Sequence, residues 1–116
     1  MATFGLRAYD VGMVKVSVLY PNVEGGKFDM EFFIHRHLPL VDRVWGAALV
    51  KREIDAGLAG PGPGTRPTYV AMAHLYFESI ETFQAALGPQ HKQLEKEAPE
   101  FTDIKPIIQV SDVVRS

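Results

Sequence analysis

Residues 68–77 read TYVAMAHLYF, ten positions without a single Asp, Glu, Lys or Arg. Aromatic and β-branched residues at this density favour a strand. Side chains of a strand alternate between its two faces. Tyr69, Ala71, Ala73, Leu75 and Phe77 therefore share one side, and Val70, Met72, His74 and Tyr76 share the other. An antiparallel sheet with one wet face would show polar residues at every second position. This run does not, so both of its sides call for cover.

The rest of the chain falls into place around it. Residues 13–20, MVKVSVLY, alternate Val14, Val16, Val18 and Tyr20 against Lys15, Ser17 and Leu19, which predicts another strand, closed by Pro21-Asn22 and Gly25-Gly26. Asp29 is a helix N-cap and Glu31 a favourable first-turn charge. Met30, Phe33, Ile34, His37, Leu38, Val41, Val44, Trp45 and Ala48 then recur at threes and fours, an amphipathic helix interrupted at Pro39. LVKREID, residues 49–55, reads as a weaker strand. AGLAGPGPGTRP, residues 56–67, holds four glycines and three prolines and reads as a long flexible connection. Ser79 caps a second helix through Ile80, Phe83 and Leu87. Gly88-Pro89 breaks it, and more helix runs to about Ala98 with Leu94 inward. Residues 104–111, IKPIIQVS, predict a last strand, placed at an edge by Pro106.

The order β-α-β-β-α-β is the split βαβ pattern of ferredoxin-like α+β domains: a four-stranded antiparallel sheet with the helices on one face. Two helices cover one face only. Leaving several apolar side chains wet forfeits several kcal/mol at ~25 cal/mol per Å². A second copy of the chain, sheet against sheet, is therefore the expected cover, with residues 1–12 or the Gly/Pro connection as the alternative. Phe32 supports the dimer, because it lies nearly opposite the Met30–Ile34–Val41 stripe.

At 116 residues the chain is one domain, and residues 1–12 read as an N-terminal extension to a domain spanning 13–116. A net charge of −2 with no basic block argues against nucleic acid as a partner. With no cysteine there is no disulfide framework and no thiolate ligand. No apolar run approaches the roughly 20 residues of a membrane span. The expected compartment is the cytoplasm.

The stretch FFIHRHLPLV, residues 32–41, carries the first candidate chemistry. On a helix His35 and His37 lie roughly 200° apart and cannot grip one metal ion. His35 belongs to the polar side with Glu31 and Asp42. His37 sits within the apolar stripe. A buried imidazole needs a hydrogen-bond partner, so His37 is either a satisfied core histidine or an acid/base facing a ligand. Pro39 cannot donate to the His35 carbonyl, so a kink is expected there. His74 is the second catalytic candidate, beside Met72 and Tyr76. A histidine and a tyrosine in an apolar cleft are the polar groups a small-molecule site needs. The alternative for His74 is a hydrogen bond across a dimer. Ser17 joins these residues if its side of the first strand faces the cleft, and Trp45 could orient a substrate. His91 follows a chain break among polar residues and reads as surface. No metal and no cofactor are called for.

The runs MVKVSVLYPN, FDMEFFIHRHLPLV, GLAGPGPGTRPTYVAMAHLYFESIETFQAALGP and FTDIKPIIQVSDVV together resemble the EthD family across residues 13–114. That family is named for a protein encoded with an ethyl tert-butyl ether degradation cluster. His37-Leu38-Pro39-Leu40-Val41 matches its first motif, and His74, Phe77 and Ser79 match its second. His35 falls where relatives carry another polar residue, and residues 1–12 lie outside the resemblance. The resemblance implies a dimeric α+β barrel, two ferredoxin-like subunits closing face to face. Similar barrels host cofactor-free quinol monooxygenases, haem-degrading enzymes, muconolactone isomerases and polyketide cyclases, and fold alone does not choose among them. The expected function is binding of a small apolar or aromatic compound. Cofactor-independent oxygenase, isomerase or cyclase chemistry through a histidine acid/base would accompany it. A non-catalytic accessory or ligand-binding protein of a degradation pathway is the alternative.

Overall fold

β-Branched residues at every second position extend Val14–Pro21 into β1. The computed structural model describes residues 13–115, and the proposed extension 1–12 lies outside them. Asp29 caps the first helix as its position predicts: its carboxylate accepts from the Phe32 amide at 3.0 Å. The helix is not continuous. It passes through α1 (Met30–Phe32), a π-helical turn at Phe33–His37 and α2 (Leu38–Trp45). Where a kink was expected, the chain instead winds wider. Pro39 has no N–H for the His35 carbonyl, and the Leu38 amide reaches five residues back to the Phe33 carbonyl.

A 3₁₀ turn, Gly46–Ala48, leads into β2 (Leu49–Ala56). β3 (Tyr69–Phe77) follows the Gly/Pro connection. That connection is long, as expected, yet tied down. Asn22 Nδ2 donates to the Pro67 carbonyl at 3.0 Å, Arg66 donates to Asn22 Oδ1, and the Thr65 amide closes a turn on the Gly62 carbonyl. Ser79 caps α3 (Ile80–Ala86) by accepting from the Thr82 amide. α4 (His91–Glu97) and a 3₁₀ turn precede β4 (Ile107–Asp112). The last strand starts three residues later than its sequence suggests. Ile104 turns inward beside Phe101, both buried, and pairing begins only past Pro106, which has no amide to give.

The sheet order is β2-β3-β1-β4 with every neighbour antiparallel, so Pro106 does precede an edge strand. All helices lie on one face. Val14, Val16 and Val18 of β1 pair with Phe77, Leu75 and Ala73 of β3 and pack with Leu38, Val41, Trp45, Phe83 and Leu94. Phe77 is completely buried, worth about 1.5–3 kcal/mol relative to an exposed ring. The helices do not reach the outer strand: Ile108 and Val110 point to the helical side of β4 and remain 60% and 43% exposed.

The opposite face corrects one expectation. It is apolar only towards one end, where Leu19 pairs with Met72 and with Ile107. Further along, Ser17 pairs with His74, and Lys15 with Tyr76, joined by Glu53, Asp55 and Lys51 of β2. Phe32 needs no second subunit to explain it. Its ring stacks on Phe101 with centroids 6.4 Å apart, and the Arg36 guanidinium lies over it at 5.6 Å.

Candidate functional site

Between the helical layer and the sheet is a cavity of about 370 Å³. Val18, Ala73 and Leu75 form its floor, and Leu38, Val41 and Leu94 are among its apolar walls. Pro106 and the exposed Ile108 stand at its margin. This size and an apolar lining with few polar groups are typical of a small-molecule site.

Those polar groups come from three elements. The π-turn ends on His37, which is 7% exposed. Its ring packs near Phe33 and Phe101, with centroids 5.5 and 4.7 Å away. His37 Nδ1 lies 2.9 Å from Glu97 Oε1 at the end of α4. A carboxylate only accepts, so Nδ1 carries the hydrogen and Nε2 of the neutral ring keeps its lone pair. Burial holds His37 below the usual imidazole range, and the Glu97 carboxylate offsets part of that shift. The net result is a neutral base at neutral pH.

β1 contributes Tyr20, 7% exposed, whose phenol burial pushes up to about 12. It stays a neutral donor. α4 contributes His91 and Glu95. The His91 ring lies parallel to Trp45 within 8°, centroids 6.1 Å apart, and its Nε2 is 3.5 Å from Glu95 Oε2. Trp45 is itself fixed, because its indole N–H donates to the Ala86 carbonyl at 2.9 Å and its edge meets Phe77.

Of the residues singled out in the sequence, His37 and Trp45 meet in this cavity. Ser17, Met72, His74 and Tyr76 do not, since they lie on the far side of the sheet. The two candidate histidines thus stand on two separate surfaces, because strand side chains alternate. His74 is also fully engaged: Ser17 Oγ is 2.9 Å from its Nδ1 and Asp55 Oδ2 is 3.3 Å from its Nε2. Tyr76 donates to Glu53 at 3.0 Å, with Lys15 and Lys51 over its ring. Met72 borders a shallower hollow beside Leu58 and Pro61. His35 is exposed and 3.4 Å from Glu31, as its polar side implies.

Three groups went unnoticed in the sequence: Tyr20, Glu97 and His91, the last read as surface. One signal was available. His91 and Glu97 are three residues before and after the inward-facing Leu94, so all three share a helical face. Among the described residues no group of three or more His, Asp or Glu is placed to hold a metal ion, and no helix is long and apolar enough to cross a membrane.

Compared with protein-family models, residues 30–105 match the EthD domain. Among solved structures, an EthD-like protein from Ralstonia eutropha is 38% identical with a TM-score of 0.85, over 89% of this chain and 93% of that one. An EthD family protein from Bacillus halodurans is 22% identical with a TM-score of 0.66, over 86% and 97%. A protein from Mesorhizobium loti described as having a ferredoxin-like fold is 13% identical with a TM-score of 0.54, over 87% and 96%. The last two likenesses concern the fold alone. A comparison with curated proteins returns no match.

Proposed function

The chain belongs to the EthD family, and from that premise we propose that it binds a small apolar or aromatic compound in the cavity under α2 and α4 and moves a proton on it through His37. The observation that carries this reading is a buried imidazole on the cavity wall whose Nδ1 is tied to Glu97. With Nδ1–H held by the carboxylate, Nε2 accepts a proton from an acidic C–H or a phenolic O–H of the bound compound. The imidazolium that forms is stabilised by Glu97. Tyr20, neutral throughout, donates a hydrogen bond to the oxygen on which charge develops. The apolar floor displaces water and strengthens both interactions. The chain's own residues suffice for these steps, in line with cofactor-independent oxygenase, isomerase or cyclase chemistry.

Two copies of the chain pair through the open sheet face in this reading. It is supported by the exposed Ile107 and the half-buried Leu19 and Met72 grouped at one end of that face.

The test begins with a panel of apolar aromatics followed by thermal unfolding. A compound at 100 times its Kd adds about 2.7 kcal/mol of stability. Binders are then assayed for chemical change with wild type and His37→Ala. Loss of roughly 10²–10⁴-fold in turnover in the variant is expected. Full turnover without the imidazole would refute the mechanism, and stabilisation with no chemistry would leave a ligand-binding protein of the same pocket.

A further inference from the structure

We propose that the cavity selects by charge: neutral aromatics bearing a hydroxyl or an amide enter, carboxylates of the same shape do not, and Glu95 at its open side sets much of that preference. This rests on the cavity reading above and deepens it by naming the charge class of the ligand and a residue that determines specificity.

The lining carries formal charge of one sign. Among the described residues that border the cavity there is no Lys and no Arg, whereas Glu95 is one of them. α4 does hold two cations, Lys92 and Lys96, but both are exposed and neither lines the cavity. Lys105, next to Pro106 at the margin, is likewise exposed and outside the lining. A second carboxylate stands behind His37: Glu97 is 2.9 Å from its Nδ1 and only 26% exposed. The imidazole does not cancel it, because burial keeps His37 neutral at neutral pH. An entering carboxylate therefore meets two negative groups and no cation. A buried charge without a counter-charge is among the costliest arrangements in a protein.

The remaining polar groups fit a neutral partner. His37 Nε2 accepts a hydrogen bond and the Tyr20 hydroxyl donates one. A phenol or a primary amide offers both a donor and an acceptor to match them. A carboxylate only accepts, so it would set its lone pairs against that of Nε2. Proton movement leads to the same class. When a phenol gives its proton to His37, the proton stays in the cavity, and oxyanion and imidazolium form a pair with no change in net charge. A carboxylate arrives already charged and has no proton to leave on the imidazole.

The two glutamates differ in exposure. The Glu95 side chain is 69% exposed, and its Oε2 is 3.5 Å from His91 Nε2. It therefore borders solvent and cavity together, and salt screens its field far more than that of the half-buried Glu97. An unfavourable charge set against the wrong ligand is a source of specificity in its own right.

The experiment uses the full chain and calorimetric titration at neutral pH with naphthol, naphthamide and naphthoate. The last two share a shape and differ in charge. Wild type should bind naphthol and naphthamide at least about tenfold more tightly than naphthoate. Glu95→Lys should narrow that gap about tenfold and Glu95→Gln by less. Glu31→Lys, the same change of net charge at an exposed site on α1, should leave it as it is. Added salt should narrow the wild-type gap in part, a readout that needs no variant. Naphthoate bound as tightly as naphthamide, or a gap that neither salt nor Glu95→Lys moves, overturns the inference, while naphthol binding preserves the cavity reading. Exclusion of naphthamide as complete as that of naphthoate would make the barrier one of shape and overturn it as well. If naphthol itself does not bind, the cavity reading fails and the inference with it.

Discussion

At the residue scale, His37 shows what an apolar stripe does to a titratable group. Its place among Phe33, Ile34 and Val41 was readable from spacing alone, and so was its need for a partner. The partner was not readable: Glu97 is 60 positions away in the chain, and only the packing of α4 on α2 joins them. The sign of its pH dependence follows from burial. His37 in the folded chain titrates below the ordinary value of 6.5, so the unfolded chain binds its proton first as pH falls. Its contribution to stability is therefore complete above about pH 6.5 and is lost as pH drops through the folded value. Melting temperatures of wild type and His37→Gln measured from pH 8 to 5 should converge towards the acid end. Glu97→Gln removes the group that partly holds the imidazole up, and its acid loss should be steeper than in wild type. Parallel curves for all three proteins would contradict this account.

At the scale of elements, alternation and helical period gave the strands and helices in their correct order, because both patterns record burial directly. Local rules explain the exceptions. The wide turn at Phe33–His37 depends on Pro39, visible in the sequence as an interruption though not as a π-turn. The late start of β4 depends on Pro106 and on Ile104 finding a place in the core. The Gly/Pro connection looked free because glycine and proline mark turns without saying what they touch. Gly57 makes the point: its amide donates to the Val70 carbonyl at 2.8 Å, and a Cβ there would collide with the Tyr69 carbonyl oxygen and the Pro67 ring. Gly57→Ala is expected to destabilise the fold by about 1–3 kcal/mol in chemical denaturation. Gly62→Ala, whose Cβ would meet only the Thr65 methyl at 3.5 Å, serves as the near-neutral control.

For the molecule as a whole, the βαββαβ sheet with helices on one side was legible from the order of patterns. The division of polar groups between the two faces was not. Taken by itself, β3 makes its outer face look largely apolar. Its neighbours β1 and β2 bring Ser17, Asp55 and Glu53 across to His74 and Tyr76, and pairing register decides that. The pairing proposed above predicts a dimer in sedimentation at micromolar concentration. Met72→Glu, half-buried on the open face and far from the helical core, should shift that population to monomer while leaving the fold melting cooperatively. A wild-type chain that sediments as a monomer would remove the proposed dimer and leave the cavity as it is.

Ala73 and His74 are neighbours in sequence, yet one lines the cavity and the other looks out from the back of the same strand. The sheet is thus a single-layer partition shared by two compartments, and its strands cannot shift on one side without displacing residues on the other. In the pairing proposed above, a partner on the outer surface would bear on the cavity through one backbone thickness. Substrate preference and assembly would then drift together across relatives, each recorded in alternate letters of β1 and β3.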